Sequence, residues 1–216
     1  MDALVLFDID RVLVDIDTER MHAYLSRHAR LAPDDIRERL NGTRHYDAID
    51  IGDKERYYAI MRGALGARLP GAVLDQAHLR VIVGPNTEVV RLKERVTAQV
   101  GLLSDISTDA LAHIRERWPG TLYSNGPSAF SHMVGALKPQ PAIYDAVAGT
   151  ARTVFIDDTP DNLVYPVTRL GWTGIRYAER LPYAPVPPAL INHRNYREAR
   201  DARELADHLR DLRMLR

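Results

Sequence analysis

The sequence predicts an α/β fold: a three-layer sandwich on a parallel, Rossmann-like sheet, interrupted after its first strand by a small all-helical insertion. Three observations carry that expectation. Short apolar runs alternate with segments of helical spacing, the pattern of right-handed βαβ crossovers. The first run, Leu4-Val5-Leu6-Phe7, is apolar without alternation, as a strand covered on both faces must be, and it stops at an aspartate. From residue 15 to residue 80 the spacing is helical throughout. At 216 residues the chain is long enough for one full core with an appendage.

Residues 3–7 form the first predicted strand. In the insertion, assigned to residues 15–80, Met21, Leu25 and His28 share one face, Ile36 and Leu40 a second, and Tyr57, Ile60, Met61 and Leu65 a third. Gly42, Gly52, Gly63, Gly66 and Pro70-Gly71 punctuate these helices. The core is assigned to residues 1–14 and 81–216. It resumes at Gly84-Pro85-Asn86, after which Val89, Leu92 and Val96 space a helix capped by Asn86 or Thr87. Residues 100–103 predict a strand ending at Ser104, and Ser107, Thr108 and Asp109 open a helix lined by Leu111, Ile114 and Trp118. Residues 121–123 predict a short strand, 143–148 a helix and 153–156 a strand ending at Asp157. Leu163, Val167 and Leu170 mark a helix closed by Gly171, with Pro166 in its first turn or at a kink. Residues 173–177 predict a last strand. The Pro-rich stretch 181–188 reads as a tether, and residues 197–215 as a charged helix with Leu205, Leu209 and Leu212 on one side. The 182–216 tail has no assigned role.

Composition removes several classes of function. Lys plus Arg and Asp plus Glu both total 29, so no basic surplus exists to neutralise a phosphate backbone, and no nucleic-acid partner is expected. Without cysteine there is no disulfide framework and no thiolate chemistry, as suits a reducing compartment. The apolar run after Met1-Asp2 is too short for a signal peptide or a membrane span, so a cytoplasmic protein without a membrane partner is expected. Oligomeric state leaves no signature.

Four distant pieces point to one chemistry: Asp8-Ile9-Asp10, Ser104-Asp105, Lys138-Pro139 and Asp157-Asp158. A carboxylate at a strand's carboxyl end can attack phosphorus in line and form an aspartyl-phosphate, and Asp8 is placed for that. Asp10, two residues on, suits a proton donor to the leaving oxygen that later takes a proton from water. Two carboxylates facing a phosphate repel it unless a hard cation intervenes, which calls for Mg²⁺, with Asp157 and Asp158 as further ligands. Ser104 and Lys138 supply a hydroxyl and an ammonium for charge on the equatorial oxygens. His22, His28 and His45 show no metal-ligand spacing, and read as packed or solvated side chains.

These motifs resemble those of the haloacid dehalogenase superfamily, in its phosphatase branch with a small helical (C1-type) cap. The family pattern hhhhDxDx is Leu4 to Leu13; the second motif is Gly101 to Asp105; the Lys-Pro motif with its following aromatic is Lys138 to Tyr144; and hhhhDDxxxN is Val154 to Asn162. The resemblance covers roughly residues 1–177. It implies that Asp8 is nucleophile and Mg²⁺ ligand, that Asp10 is acid/base and gives its carbonyl to the metal, and that Asp158 ligates directly and Asp157 directly or through water. It further implies a small phosphorylated metabolite as substrate, with the cap similar to that of sugar-phosphate phosphatases and Asp50-Ile51-Gly52 matching an acidic-x-Gly element. Arg11 stands where similar proteins usually carry Gly. An always-charged guanidinium there binds a second substrate anion, pairs with Asp10, or points to solvent. Asp105 is a further candidate substrate contact, as are Arg44, His45 and Tyr46 from the cap. A phosphosugar mutase, a dehalogenase and a non-catalytic phospho-metabolite-binding protein are the alternatives; the dehalogenase is disfavoured because such relatives generally lack the second aspartate and need no metal.

Overall fold

The computed structural model describes residues 3–149, 152–178 and 184–216. β1 (Ala3–Phe7) leads through a tight turn into β2 (Val14–Ile16). Five helices follow: α1 (Thr18–Ala29), α2 (Pro33–Leu40), α3 (His45–Asp50), α4 (Lys54–Leu65) and α5 (Gly71–Leu79). β3 (Ile82–Pro85) then returns antiparallel to β2, so the two strands form a stalk from which the helical insertion hangs. Beyond it come α6 (Thr87–Glu94), β4 (Gln99–Ser104), α7 (Thr108–Arg117), β5 (Ala129–Phe130), α8 (Ser131–Val134), α9 (Pro141–Asp145), β6 (Arg152–Asp157), α10 (Asp161–Arg169) and β7 (Thr173–Tyr177). The chain closes with β8 (Tyr196–Ala199) and α11 (Ala202–Asp211).

The main sheet has six strands in the order β5-β4-β1-β6-β7-β8, every pairing parallel. β1 sits inside it because each of its faces has a core to enter: Val5 and Phe7 pack with Val89, Leu111 and Leu205, while Leu4 and Leu6 pack with Ile143, Tyr144 and Leu163. Chain order reverses around β1, with β4 on one side and β6 on the other, and the crevice at such a switch point opens beyond the strands' carboxyl ends.

Several expectations need correction. Residues 121–123 are not a strand, because buried Lys93 takes the carbonyls of Thr121 and Tyr123 at 2.6 and 2.8 Å and leaves them nothing for a ladder. The short β5 pairs with Leu103 and Ser104 instead, and Asn125 and Ser128 side chains accept from Val100 and Leu102 N–H. Gly101 permits that crossing, since a Cβ there would lie 1.9 Å from the Pro127 carbonyl oxygen. The helix expected over 143–148 is α9, and Val96 leaves its helix to bridge Leu215. His28 is exposed, with His22 taking the buried position on α1. Pro166 lies beyond the first turn of α10, buried, and the Asn162 carbonyl deprived of its partner accepts from Tyr144 Oη at 2.7 Å. The tail is part of the core: Arg197 belongs to β8, and the helix begins only at Ala202. Of the expected tether, residues 181–183 lie outside the described residues and 184–187 carry no regular structure. Among the described residues no helix is long and apolar enough to cross a membrane.

Candidate active site

Asp8 leaves β1 by donating its N–H to Ile156 O at 2.9 Å, which extends the ladder one residue and fixes the carboxylate between β4 and β6. The chain then turns on the Ile9 carbonyl, which accepts from Leu13 and Val14 at 2.8 and 2.9 Å, while Arg11 N–H donates to Val14 O at 2.7 Å. That turn holds Arg11 at φ 60°, a left-handed conformation that costs a side-chain-bearing residue about 1 kcal/mol. The same angle explains why glycine suits this position.

Lys138, preceding a cis Pro139, buries its ammonium between two carboxylates, 2.6 Å from Asp157 Oδ2 and 3.0 Å from Asp8 Oδ1. Asp157 also accepts from Thr159 N–H at 2.8 Å and from Asn162 Nδ2 at 3.1 and 3.2 Å, so both of its oxygens are occupied. Asp158 differs. Thr159 Oγ1 reaches its Oδ1 at 3.3 Å, but among the described residues its buried Oδ2 has no hydrogen bond, and Arg11 Nη1 stands 3.7 Å from it. Asp8, Asp157 and Asp158 each offer an oxygen within 4.8 Å of the others, and these three could hold a metal ion. An orphaned carboxylate oxygen inside a cluster of three acids is what an oxygen-seeking cation would satisfy. Ser104 Oγ, buried at the end of β4, likewise has no hydrogen-bond partner among the described residues.

The electrostatics follow from burial. Asp10 is pushed up to about 7 by burial and by Asp8, against the pull of Arg11 and Lys138. Burial alone would deprotonate Lys138, but Asp157, Asp8 and Asp105 together raise it well above the ordinary lysine value. Asp158 is raised by burial and by Asp8. Asp105 is pushed up to about 6 by burial, and its carboxylate receives Lys138 N–H at 3.0 and 3.2 Å, so it anchors the lysine's loop and does not line the cavity beside the site.

That cavity, of about 200 Å³, lies between sheet and insertion and is bounded by Asp10, Arg11, Tyr46, Asp50 and His78 among others. A larger groove of about 840 Å³ opens on the insertion alone; Arg44 and His45 line it, Tyr46 and Thr18 border both spaces, and no site carboxylate reaches it. The structure thus brings Asp8, Asp10, Arg11, Ser104, Lys138, Asp157 and Asp158 together, and puts Arg44 and His45 elsewhere. Sequence reasoning missed Thr159, which its place in the fourth motif could have flagged, and His78, which no pattern marks.

No family model matches the sequence, and no curated protein matches it. Solved structures do. A HAD-family enzyme from Bacteroides thetaiotaomicron, BT-2542, in complex with magnesium and inorganic phosphate, superposes with a TM-score of 0.64 at 19% identity, over 85% of this chain and 98% of that one. The L-2-haloacid dehalogenase of Xanthobacter autotrophicus, with chloropropionic acid covalently bound, gives 0.64 at 15% identity over 97% and 99% of the two chains. A HAD phosphatase from Thermococcus onnurineus gives 0.60 at 17%, over 97% and 98%. The fold is that of the haloacid dehalogenase-like hydrolases.

Proposed function

We propose that this protein is a Mg²⁺-dependent phosphatase that hydrolyses a small phosphomonoester through an aspartyl-phosphate, with residues 15–80 acting as a cap over the site. The observation that carries the reading is the trio Asp8, Asp157 and Asp158 at neighbouring strand ends, with one carboxylate oxygen of Asp158 left unpaired. Asp8, Asp158 and the Asp10 carbonyl would hold Mg²⁺, with Asp157 in support. Bound there, the ion neutralises the carboxylates and the phosphoryl oxygens so that an anionic nucleophile can approach an anionic ester.

The chain's own residues do the rest. Asp8 Oδ1 is held by Ile9 N–H at 2.8 Å and by Lys138, which leaves Oδ2 to attack phosphorus. As the bond to the leaving oxygen breaks, Asp10 gives that oxygen its proton, a task suited to an acid whose burial lifts it to about 7. Water then attacks the aspartyl-phosphate, Asp10 takes its proton, and the Asp8–phosphate bond breaks to release inorganic phosphate. Lys138 and the free Ser104 hydroxyl stabilise charge on the equatorial oxygens. Asp10 also separates this reading from carbon–halogen hydrolysis, because a halide leaves as an anion and needs no proton donor.

Phosphate release from a generic aryl phosphate tests the reading. Turnover should appear with Mg²⁺, vanish in chelator and return on readdition; no turnover at any metal concentration overturns it in favour of a non-catalytic binding protein.

A further inference from the structure

We infer that His78 is a specificity-determining residue that, with Asp50, selects an uncharged, hydroxylated leaving group of three to four carbons. The inference rests on the phosphatase reading and goes on to what the ester carries. His78 lies on α5, only 5% exposed, and borders the small cavity beside Asp10. Its Nε2 is 2.8 Å from Ser107 Oγ, while its buried Nδ1 has no hydrogen-bond partner among the described residues.

The serine decides which ring nitrogen carries hydrogen. Ser107 Oγ already accepts from Ala110 N–H at 3.1 Å, as the N-cap of α7. Its hydroxyl proton finds His78 Nε2, so Nε2 is the acceptor and Nδ1 bears the hydrogen. Burial holds the ring neutral, with its pKa lowered to about 4. His78 therefore offers the cavity one uncharged donor. Asp50, raised well above the ordinary carboxylate range by burial and by Asp10, offers the matching acceptor through the carbonyl oxygen of its carboxyl group: among the described residues nothing hydrogen-bonds that group. A donor and an acceptor left open on one cavity are satisfied together by a hydroxylated ligand.

Charge and size narrow the class. The one Lys or Arg among the described residues lining the cavity, Arg11, already faces Asp158 at 3.7 Å, so a second anion on the substrate would find no free cation to pair with. About 200 Å³ has room for roughly seven waters' worth of atoms at about 30 Å³ each, which fits a short polyol and excludes a nucleoside.

The test compares glycerol phosphate, propyl phosphate and an aryl phosphate, each with Mg²⁺. The native protein should favour glycerol phosphate over propyl phosphate by about 100-fold in kcat/KM, because a site built to bond hydroxyls is left unpaired by the deoxy ester. His78→Phe should cut that ratio at least about tenfold, and His78→Asn, which restores an N–H, should recover part of it. Should His78→Phe fail to fold, the native ratio and His78→Asn still decide. Equal rates on glycerol and propyl esters, or an equal loss on all three in His78→Phe, overturn the inference while leaving the phosphatase reading standing. Failure on every ester, the aryl phosphate included, overturns both.

Discussion

Two clusters of largely buried polar side chains, one at the strand ends and one in the insertion, follow opposite electrical plans. At the carboxyl ends of the central strands Lys138 is enclosed by Asp8 and Asp157 with Asp158 adjacent, so the cluster is ionic. In the insertion the rings of His45, Tyr46, Tyr57 and His78 pack tilted or edge-on to one another, with centroids 4.2 to 6.4 Å apart. They are neutral: burial lowers both histidines to about 4 and pushes both phenols above their ordinary range. The difference teaches a division of labour. Charge is concentrated where parallel strands fix atoms to a rigid frame, and the insertion contributes uncharged hydrogen-bonding groups whose cost of burial is smaller.

The comparison breaks most sharply at Asp8. Asp8→Asn should lower phosphate release by about 10⁴-fold or more while circular dichroism stays native, since no other carboxylate at that strand end is placed to attack. Retention of a tenth of native turnover would remove the mechanism. Next comes the metal. Asp158→Ala should shift the Mg²⁺ midpoint for activity by at least about tenfold, whereas Asp161→Ala, at the first residue of α10, should only loosen a helix start. Indistinguishable titrations would place the metal on other ligands.

The insertion answers to pH instead. His45 titrates near 4 when folded and near 6.5 when unfolded, so between those values the unfolded chain binds more protons and stability falls as pH falls. Asp10 and Asp105, raised by burial, run the other way: without metal they cost stability as pH rises from about 4 toward 7. Urea unfolding of the native protein and His45→Gln at pH 7 and pH 5 separates the two. The native protein should lose about 2 kcal/mol more than the variant on acidification, and parallel losses would mean that His45 keeps its ordinary imidazole pKa in the folded chain. The smallest effect belongs to Tyr57→Phe, which removes a 3.1 Å bond to Leu74 O; a cost of about 1 kcal/mol with an unchanged metal titration keeps the clusters separate.

Legibility followed the same divide. Asp8, Ser104 and Asp157 were readable because continuous apolar runs stop at them, and a parallel sheet lines up such ends. Lys138 sits in a loop, so only the ordered motif set gave it meaning. The unequal standing of Asp157 and Asp158 was invisible, because it depends on Thr159, Asn162 and Lys138 converging on one carboxylate. β8 was missed because Tyr-Arg-Glu-Ala on an edge strand shows neither an apolar run nor clean alternation, and residues 121–123 misled because a lysine some thirty positions earlier, Lys93, claims their carbonyls. His78 is a lone histidine on a short helix, and its meaning depends on Ser107.

The strand order also dictates when a growing chain can become a protein. α1 to α5 are contiguous, so their contacts lie close in sequence and can form as soon as they are made. β1 cannot settle until β4 and then β6 have been made, with Val5 and Phe7 unburied in the meantime. The final cover comes later still, when α11 brings Leu205 and Leu209 onto that face and Met214 O ties back to Thr97 N–H at 2.9 Å. Nascent chains stalled after residue 195 should therefore remain open to protease within β1 while the helices of the insertion already resist it. Asp8, made before the strands that flank β1, acquires its surroundings only after them.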